Sequence, residues 1–206
     1  GSDKYMSLNN YFKLDGLAYR IVPVFTKPVG YVSGYEDTDA MYNNIMHKFK
    51  WGNVKDPKVY VDENNRRMLT NMRNNFQRLA EGLLREGKNS QCIEALDKCT
   101  EEIPAVKVPY DYFSVQIAQL YLKAGAKDKA MKMIREMSDD FANELKYYFS
   151  LNKNDIPELI DQIQGSLYFL NELAIATDNN GNDELHNKIK TDFDKYYGKF
   201  MALKRN

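Results

Sequence analysis

Net charge is the first thing this sequence lacks. Its 29 Lys and Arg are matched by 29 Asp and Glu in 206 residues. A protein that tracks nucleic-acid phosphates carries a basic excess, so no nucleic-acid partner is expected. Long apolar runs are missing too. No stretch approaches the roughly 20 residues that cross a bilayer, so this segment is not expected to span one. Cysteine is limited to Cys92 and Cys99. Seven residues apart in a segment that reads as helix, they should sit about 10.5 Å apart. A disulfide needs less than about 7 Å, so they cannot pair with each other. Histidine is limited to His47 and His186, and neither is near a cysteine in sequence. No zinc-type spacing and no Ser-His-acid or Cys-His arrangement is legible. The chain is therefore expected to hold no metal and no cofactor, and to carry no catalytic residue.

Aromatic residues are abundant instead: 15 Tyr and 10 Phe. They fill cores, and Tyr also serves binding surfaces. Gly1-Ser2 in place of an initiator Met reads as the remnant of an expression tag, with the natural protein beginning upstream.

Residues 11–32 read as strand and loop. Phe12 and Leu14 alternate before Asp15-Gly16, and Leu17, Tyr19 and Ile21 alternate after it, a strong hairpin signal. Pro23 and Pro28 limit the continuation to an edge or a loop, and Gly30 and Gly34 mark more loop. Residues 1–35 are thus expected to form a β-hairpin and loop segment, and 36–206 an α-helical domain. Thr38 or Asp39 should cap a helix to about Phe49, with Met41, Ile45 and Met46 on its buried stripe. Asp62 should cap a longer helix to about Glu86.

An internal repeat is the most informative feature. Phe76, Leu79-Ala80, Leu83, Gly87, Cys92, Leu96, Cys99 and Pro104 follow the tetratricopeptide spacing, over a copy at about 73–106. Small residues at fixed places let two helices approach closely, Gly makes the turn, and Pro stops the second helix. Both cysteines occupy such small slots and read as buried apolar residues. Ile117-Ala118, Tyr121, Gly125, Ala130, Ile134 and Met137 form a second copy at about 111–142, in which Ser114 replaces the aromatic. The turn glycines lie 38 residues apart, against a standard period of about 34. The excess fits an expanded loop around residues 105–109. Asp155-Ile156-Pro157-Glu158 resembles a capping box opening a helix to about Ala176. The stretch from Asp178 to Asp183 reads as a polar turn, because its glycine comes too early for an EF-hand loop. A final helix carries Leu185, Ile189, Phe193, Tyr196 and Phe200, completing a helical cap at 155–204. The expected fold is mostly α, with tetratricopeptide-like antiparallel helix pairs and a small N-terminal β-hairpin.

Several stretches carry a family resemblance. They are Leu14-Asp15-Gly16-Leu17-Ala18-Tyr19-Arg20 with Val22-Pro23, Asp37-Thr38-Asp39 with Met41-Tyr42-Asn43-Asn44, and Lys48-Phe49-Lys50-Trp51-Gly52. The segments from Val59 to Met68 and Arg73-Asn74-Asn75-Phe76 continue it. Over roughly residues 8–150 the chain resembles the C-terminal soluble region of a Bacteroidetes family of multi-spanning membrane proteins. The membrane half of that family is similar to protein O-mannosyltransferases. The resemblance implies a domain on the periplasmic face of the inner membrane, attached to a lipid-sugar-dependent glycosyltransferase. The catalytic carboxylates of such enzymes lie between membrane helices, so none is carried over to this chain.

Candidate binding residues follow from the repeat. Asn74, Gln77, Glu81, Leu84 and Arg85 in the first pair, and Tyr112, Val115, Gln119, Leu122 and Lys123 in the second, project onto a concave groove. Asn64, Asn65, Arg66, Arg67 and Arg73 form an amide- and guanidinium-rich polar surface, unusual because Asn is unfavourable within a helix. Glu36, Asp37 and Asp39 are read as helix-capping acids, His47 as complementing a helix C-terminus, and His186 as solvent-facing. The leading expectation is a non-catalytic interaction domain whose partner is a protein, a peptide or the membrane half of the same polypeptide. The alternative is a glycan-binding module that uses Tyr110, Tyr112, Tyr147 and Tyr148 as stacking platforms. A free-standing enzyme is the third and least supported reading.

Overall fold

The computed structural model describes residues 6, 8–25, 34–152, 155–178 and 183–203. The chain divides into two compact units, Gly1–Pro109 with Lys123–Gly125, and Tyr110–Leu122 with Ala126–Asn206. The boundary expected near residue 35 falls inside the first of them. The fold is mostly α-helical, with a small sheet near the N-terminus.

In the first unit, β1 (Phe12–Leu14) and β2 (Tyr19–Ile21) pair antiparallel across the Asp15-Gly16 turn, with Leu14 opposite Tyr19. Phe12 and Leu14 are buried, whereas Tyr19 and Ile21 are exposed, because β2 is an edge strand. A third strand, β3 (Tyr35–Glu36), joins the other side of β1 in parallel. Pro28 and Gly30 lie outside the described residues.

Helix α1 (Thr38–Asn43) is capped not by Thr38 or Asp39, as expected, but by Asp37. Its carboxylate accepts the Ala40 N–H at 2.9 Å. The helix then widens into a single π turn, Asn44–Lys48, before Phe49 leaves in extended geometry. Met41 and Ile45 are buried as the periodicity requires. Helix α2 (Glu63–Arg85) starts at Asp62, which accepts the Asn65 N–H at 2.8 Å. Where α1 meets α2, Gly82 carries the contact: a Cβ there would stand 2.6 Å from the Thr38 methyl.

Helix α3 (Asn89–Glu102) packs on α2 after a turn made by Gly87, whose φ is 74°. The Lys88 N–H returns to the Leu83 carbonyl at 2.9 Å and the Gly87 N–H to that of Leu84 at 3.0 Å, the Schellman pairing. The second turn glycine repeats the first of these two bonds. Gly125 has φ 90°, and the Ala126 N–H returns to the Tyr121 carbonyl at 2.9 Å. The small residues Ala80, Cys92, Cys99, Ala118 and Ala130 are all buried, as close helix approach demands.

The second unit contains α4 (Tyr112–Lys123) up to Leu122, α5 (Lys127–Tyr148), α6 (Ile160–Asp178) and α7 (Asp183–Leu203). Helix α6 packs against both α5 and α7. Ile163, Leu167, Leu170 and Leu173 are buried, as are Leu185, Ile189, Tyr196 and Phe200. The expected capping box at Asp155 does not form. That side chain makes no cap hydrogen bond, and a 3₁₀ turn, Ile156–Leu159, leads into α6 instead, with Pro157 in its first turn. The polar turn after Asp178 falls at 179–182, outside the described residues. No helix among the described residues is long and apolar enough to cross a membrane.

Candidate functional site

A recess of about 320 Å³ lies in the first unit, beside the N-terminal half of α2. Three pieces of chain make it. The hairpin turn brings Leu17. The irregular segment after α1 brings Phe49, Lys50, Trp51, Val54, Val59, Tyr60 and Val61. Helix α2 supplies Asn65, Met68, Leu69 and Met72, at helical spacing along one side. Trp51 is held by stacking on the buried Phe76, with ring centroids 5.1 Å apart and planes at 29°. Its indole Nε1 is shielded from water and has no hydrogen-bond partner among the described residues. Tyr60, at 87% exposure, and Met68, at 56%, stand at the rim.

The segment from Phe49 to Val61 has almost no regular structure, so its carbonyls need other partners. Lys107 supplies them, donating to the carbonyls of Pro57 at 2.9 Å and Val59 at 2.5 Å. Lys55 pairs with Glu101 and Glu102 on α3. Asp56 accepts from Asn53 and from the Lys58 N–H. Lys48, Lys50 and Lys58 remain exposed, and no carboxylate among the described residues pairs with them.

The expected polar surface is partly present. Asn64, Asn65 and Arg67 are exposed, and Arg66 is half-buried with Glu63 at 3.3 Å. Asn65 also donates its amide to Asp62 at 3.1 Å and supplies the one amide in the recess wall. Arg73 does not belong to that surface. It is only 3% exposed, and its guanidinium donates to the carbonyls of Val108 at 2.8 Å and Pro109 at 3.0 Å. The expanded loop leaves those carbonyls without helix partners, and Arg73 satisfies them.

The groove candidates distribute as follows. Asn74, Gln77 and Glu81 are half-buried and Arg85 is exposed on α2, with Gln77 bonded to Glu81 at 2.8 Å. On α4 Tyr112 is 48% exposed and Gln119 half-buried, and Lys123 ends the helix exposed. Leu84 and Leu122 are half-buried, but Val115 is fully buried and faces no open groove.

Among the acids, Asp37 caps and Asp39 sits in the first turn of α1, bonded to Lys88 at 2.8 Å. Glu36 is no cap. It accepts both Nε and a terminal nitrogen of the buried Arg78, at 3.0 and 2.8 Å, and Arg85 at 3.1 Å. Arg78 also donates to the Tyr19 hydroxyl at 2.5 Å, so the small sheet is fastened to α2 by charge. His47 is exposed, its ring 5.9 Å from that of Tyr42. His186 is not solvent-facing: it is half-buried, with Nδ1 3.1 Å from the Ala174 carbonyl. Cys92 and Cys99 are free and buried, and burial pushes the Cys92 thiol up to about 11. No group of three or more His, Cys, Asp or Glu among the described residues is arranged to hold a metal ion.

Sequence reasoning missed the recess itself. Its signal was present: Phe49, Trp51, Val54, Val59 and Val61 are large apolar residues in a segment with no helix or strand to bury them. Compared with known proteins, the chain matches no protein-family model, no curated protein and no solved structure.

Proposed function

We infer that this chain is a non-catalytic protein-interaction domain, built from tetratricopeptide-like helix pairs and attached to a membrane glycosyltransferase-like protein on its periplasmic side. The recess beside α2 carries the reading. Its wall is mainly apolar, its polar groups being the Asn65 amide, the Lys50 ammonium, the Tyr60 hydroxyl and the Trp51 indole N–H, and two large side chains stand exposed at its rim. A sugar, whose hydroxyls need many partners, is poorly matched to such a wall, whereas an apolar side chain of another polypeptide suits it. The two positive-φ glycine turns and the buried small residues support the tetratricopeptide-like assignment. The resemblance over residues 8–150 supports the membrane-enzyme context. In this role the domain positions a protein acceptor or braces the membrane half.

The test is capture on the immobilised chain, offered the solubilised membrane half and unfolded acceptor polypeptides separately. Saturable retention of either supports the reading; retention of neither overturns it.

The glycan-binding alternative is favoured by the exposure of Tyr112 and Tyr147, the latter at 60%. Tyr110 and Tyr148 are only half-buried, and Tyr110 is already bonded to Glu136 at 2.7 Å. Retention on a glycan array that is lost in Tyr112→Ala and Tyr147→Ala would favour this second reading.

A further inference from the structure

We propose that the recess beside α2 receives one large apolar side chain presented by an acidic polypeptide segment. This deepens the interaction-domain reading and rests on it.

Three observations lead there. The first is size. At about 320 Å³ the recess lies at the small end of ligand pockets, suited to a single anchoring side chain. The second is the wall. Met68 and Met72 are unbranched and adaptable, and Trp51 and Tyr60 offer broad apolar faces at low entropic cost. The third is charge. Lys50 lies in the wall, and Lys48 and Lys58 are exposed in the flanking segments without carboxylate partners among the described residues. The chain as a whole is neutral, so this excess is local. Nearby carboxylates are already engaged: Asp62 caps α2, Glu63 pairs with Arg66, and Asp56 is bonded within its own turn. A partner with Asp or Glu flanking its anchor meets Lys50 in the wall and the lysines of the adjoining chain, which speed encounter and select against basic segments.

An anionic membrane carries the same charge but not the same shape. Membrane docking inserts protruding apolar side chains, whereas here most of the apolar surface is concave and accepts an insert.

Trp51 is the only tryptophan, so its fluorescence reports on the recess directly. The probe is a blocked peptide with a central Leu flanked on both sides by Asp and Glu. It is expected to change Trp51 emission saturably, and rising salt is expected to weaken it. Replacing the central Leu by Ser should weaken binding about tenfold or more. Flanking the Leu with Lys should weaken it as well. Met68→Glu, at an exposed position, should abolish the response while leaving the far-ultraviolet circular dichroism unchanged, and Tyr60→Ser should weaken it. Equal binding of the Ser-centred or Lys-flanked peptide, or undiminished binding by Met68→Glu, overturns the proposal. So does a response to phosphatidylglycerol vesicles with none to the Leu peptide. The Met68→Glu chain is also put through the capture experiment. If it retains polypeptides as well as the parent chain does, the interaction reading stands and the recess is not its site.

Discussion

Gly82 offers a test in which two effects of similar size oppose each other. It lies inside α2, where replacement by Ala normally stabilises by about 1 kcal/mol, because glycine has more backbone freedom to lose. Against this stands the Thr38 methyl of α1, 2.6 Å from the position an alanine Cβ would take. Carbon atoms settle at about 3.5–4.0 Å, so the helices must part by about 1 Å or Thr38 must rotate. Rotation is resisted because Thr38 is buried and its hydroxyl donates to Glu86 at 2.7 Å. Overpacking of this kind costs about 1–3 kcal/mol. Gly82→Ala is therefore expected to destabilise the first unit by about 0–2 kcal/mol, as the difference of the two effects. Thr38→Ser removes the methyl and keeps the hydroxyl. The next atom from that Cβ is an Arg85 terminal nitrogen at 3.8 Å, an ordinary contact. In the Thr38→Ser background Gly82→Ala should therefore stabilise by about 0.5–1 kcal/mol, so the sign reverses. Urea unfolding followed by Trp51 fluorescence reads the first unit, and the midpoint shifts give the cycle. Gly82→Ala acting with the same sign and size in both backgrounds would refute the steric reasoning.

Arg73→Leu should cost about 1–3 kcal/mol, because the Val108 and Pro109 carbonyls lose their donor; an unchanged urea midpoint would argue that water replaces it freely. Asp37→Ala should cost about 1 kcal/mol as a lost cap. The Ala40 N–H, and then Lys13, hold the Asp37 carboxyl below the usual range. With the folded value depressed, its contribution is full above the unfolded value of about 3.9 and is lost as pH falls through the folded one. Asp37→Asn should keep much of the cap and flatten that acid limb, and an unaltered acid titration of stability would contradict the assignment. Cys92, buried and held up at about 11, should react with a thiol reagent near neutral pH only as fast as the unit unfolds. Rapid labelling of the native chain would show that burial to be wrong.

What could be seen in the sequence was what is encoded locally. The Asp15-Gly16 hairpin, the Asp62 cap, the glycine turns at 87 and 125 and the buried small residues each depend on a few neighbouring residues. So do the stripes of α6 and α7. What stayed hidden depends on distant partners. The pairing of β3 with β1 involves two residues and carries no periodic signal. Glu36 looked like a helix-start acid because Arg78, 42 residues later, was not visible as its partner. Arg73 looked like surface for the same reason. The recess draws on the hairpin turn, an irregular segment and a helix, and no single window of sequence contains it.

The guanidinium of Arg73 takes the place of a missing turn of helix. The Val108 and Pro109 carbonyls are met by a charged side chain, and loop length and residue 73 are thereby tied together. Trimming residues 105–108 would remove the Val108 oxygen and displace that of Pro109, leaving a buried guanidinium with fewer acceptors. Such a deletion should be better tolerated when an aliphatic residue replaces the arginine at the same time, so the two changes would favour being inherited, or engineered, as one.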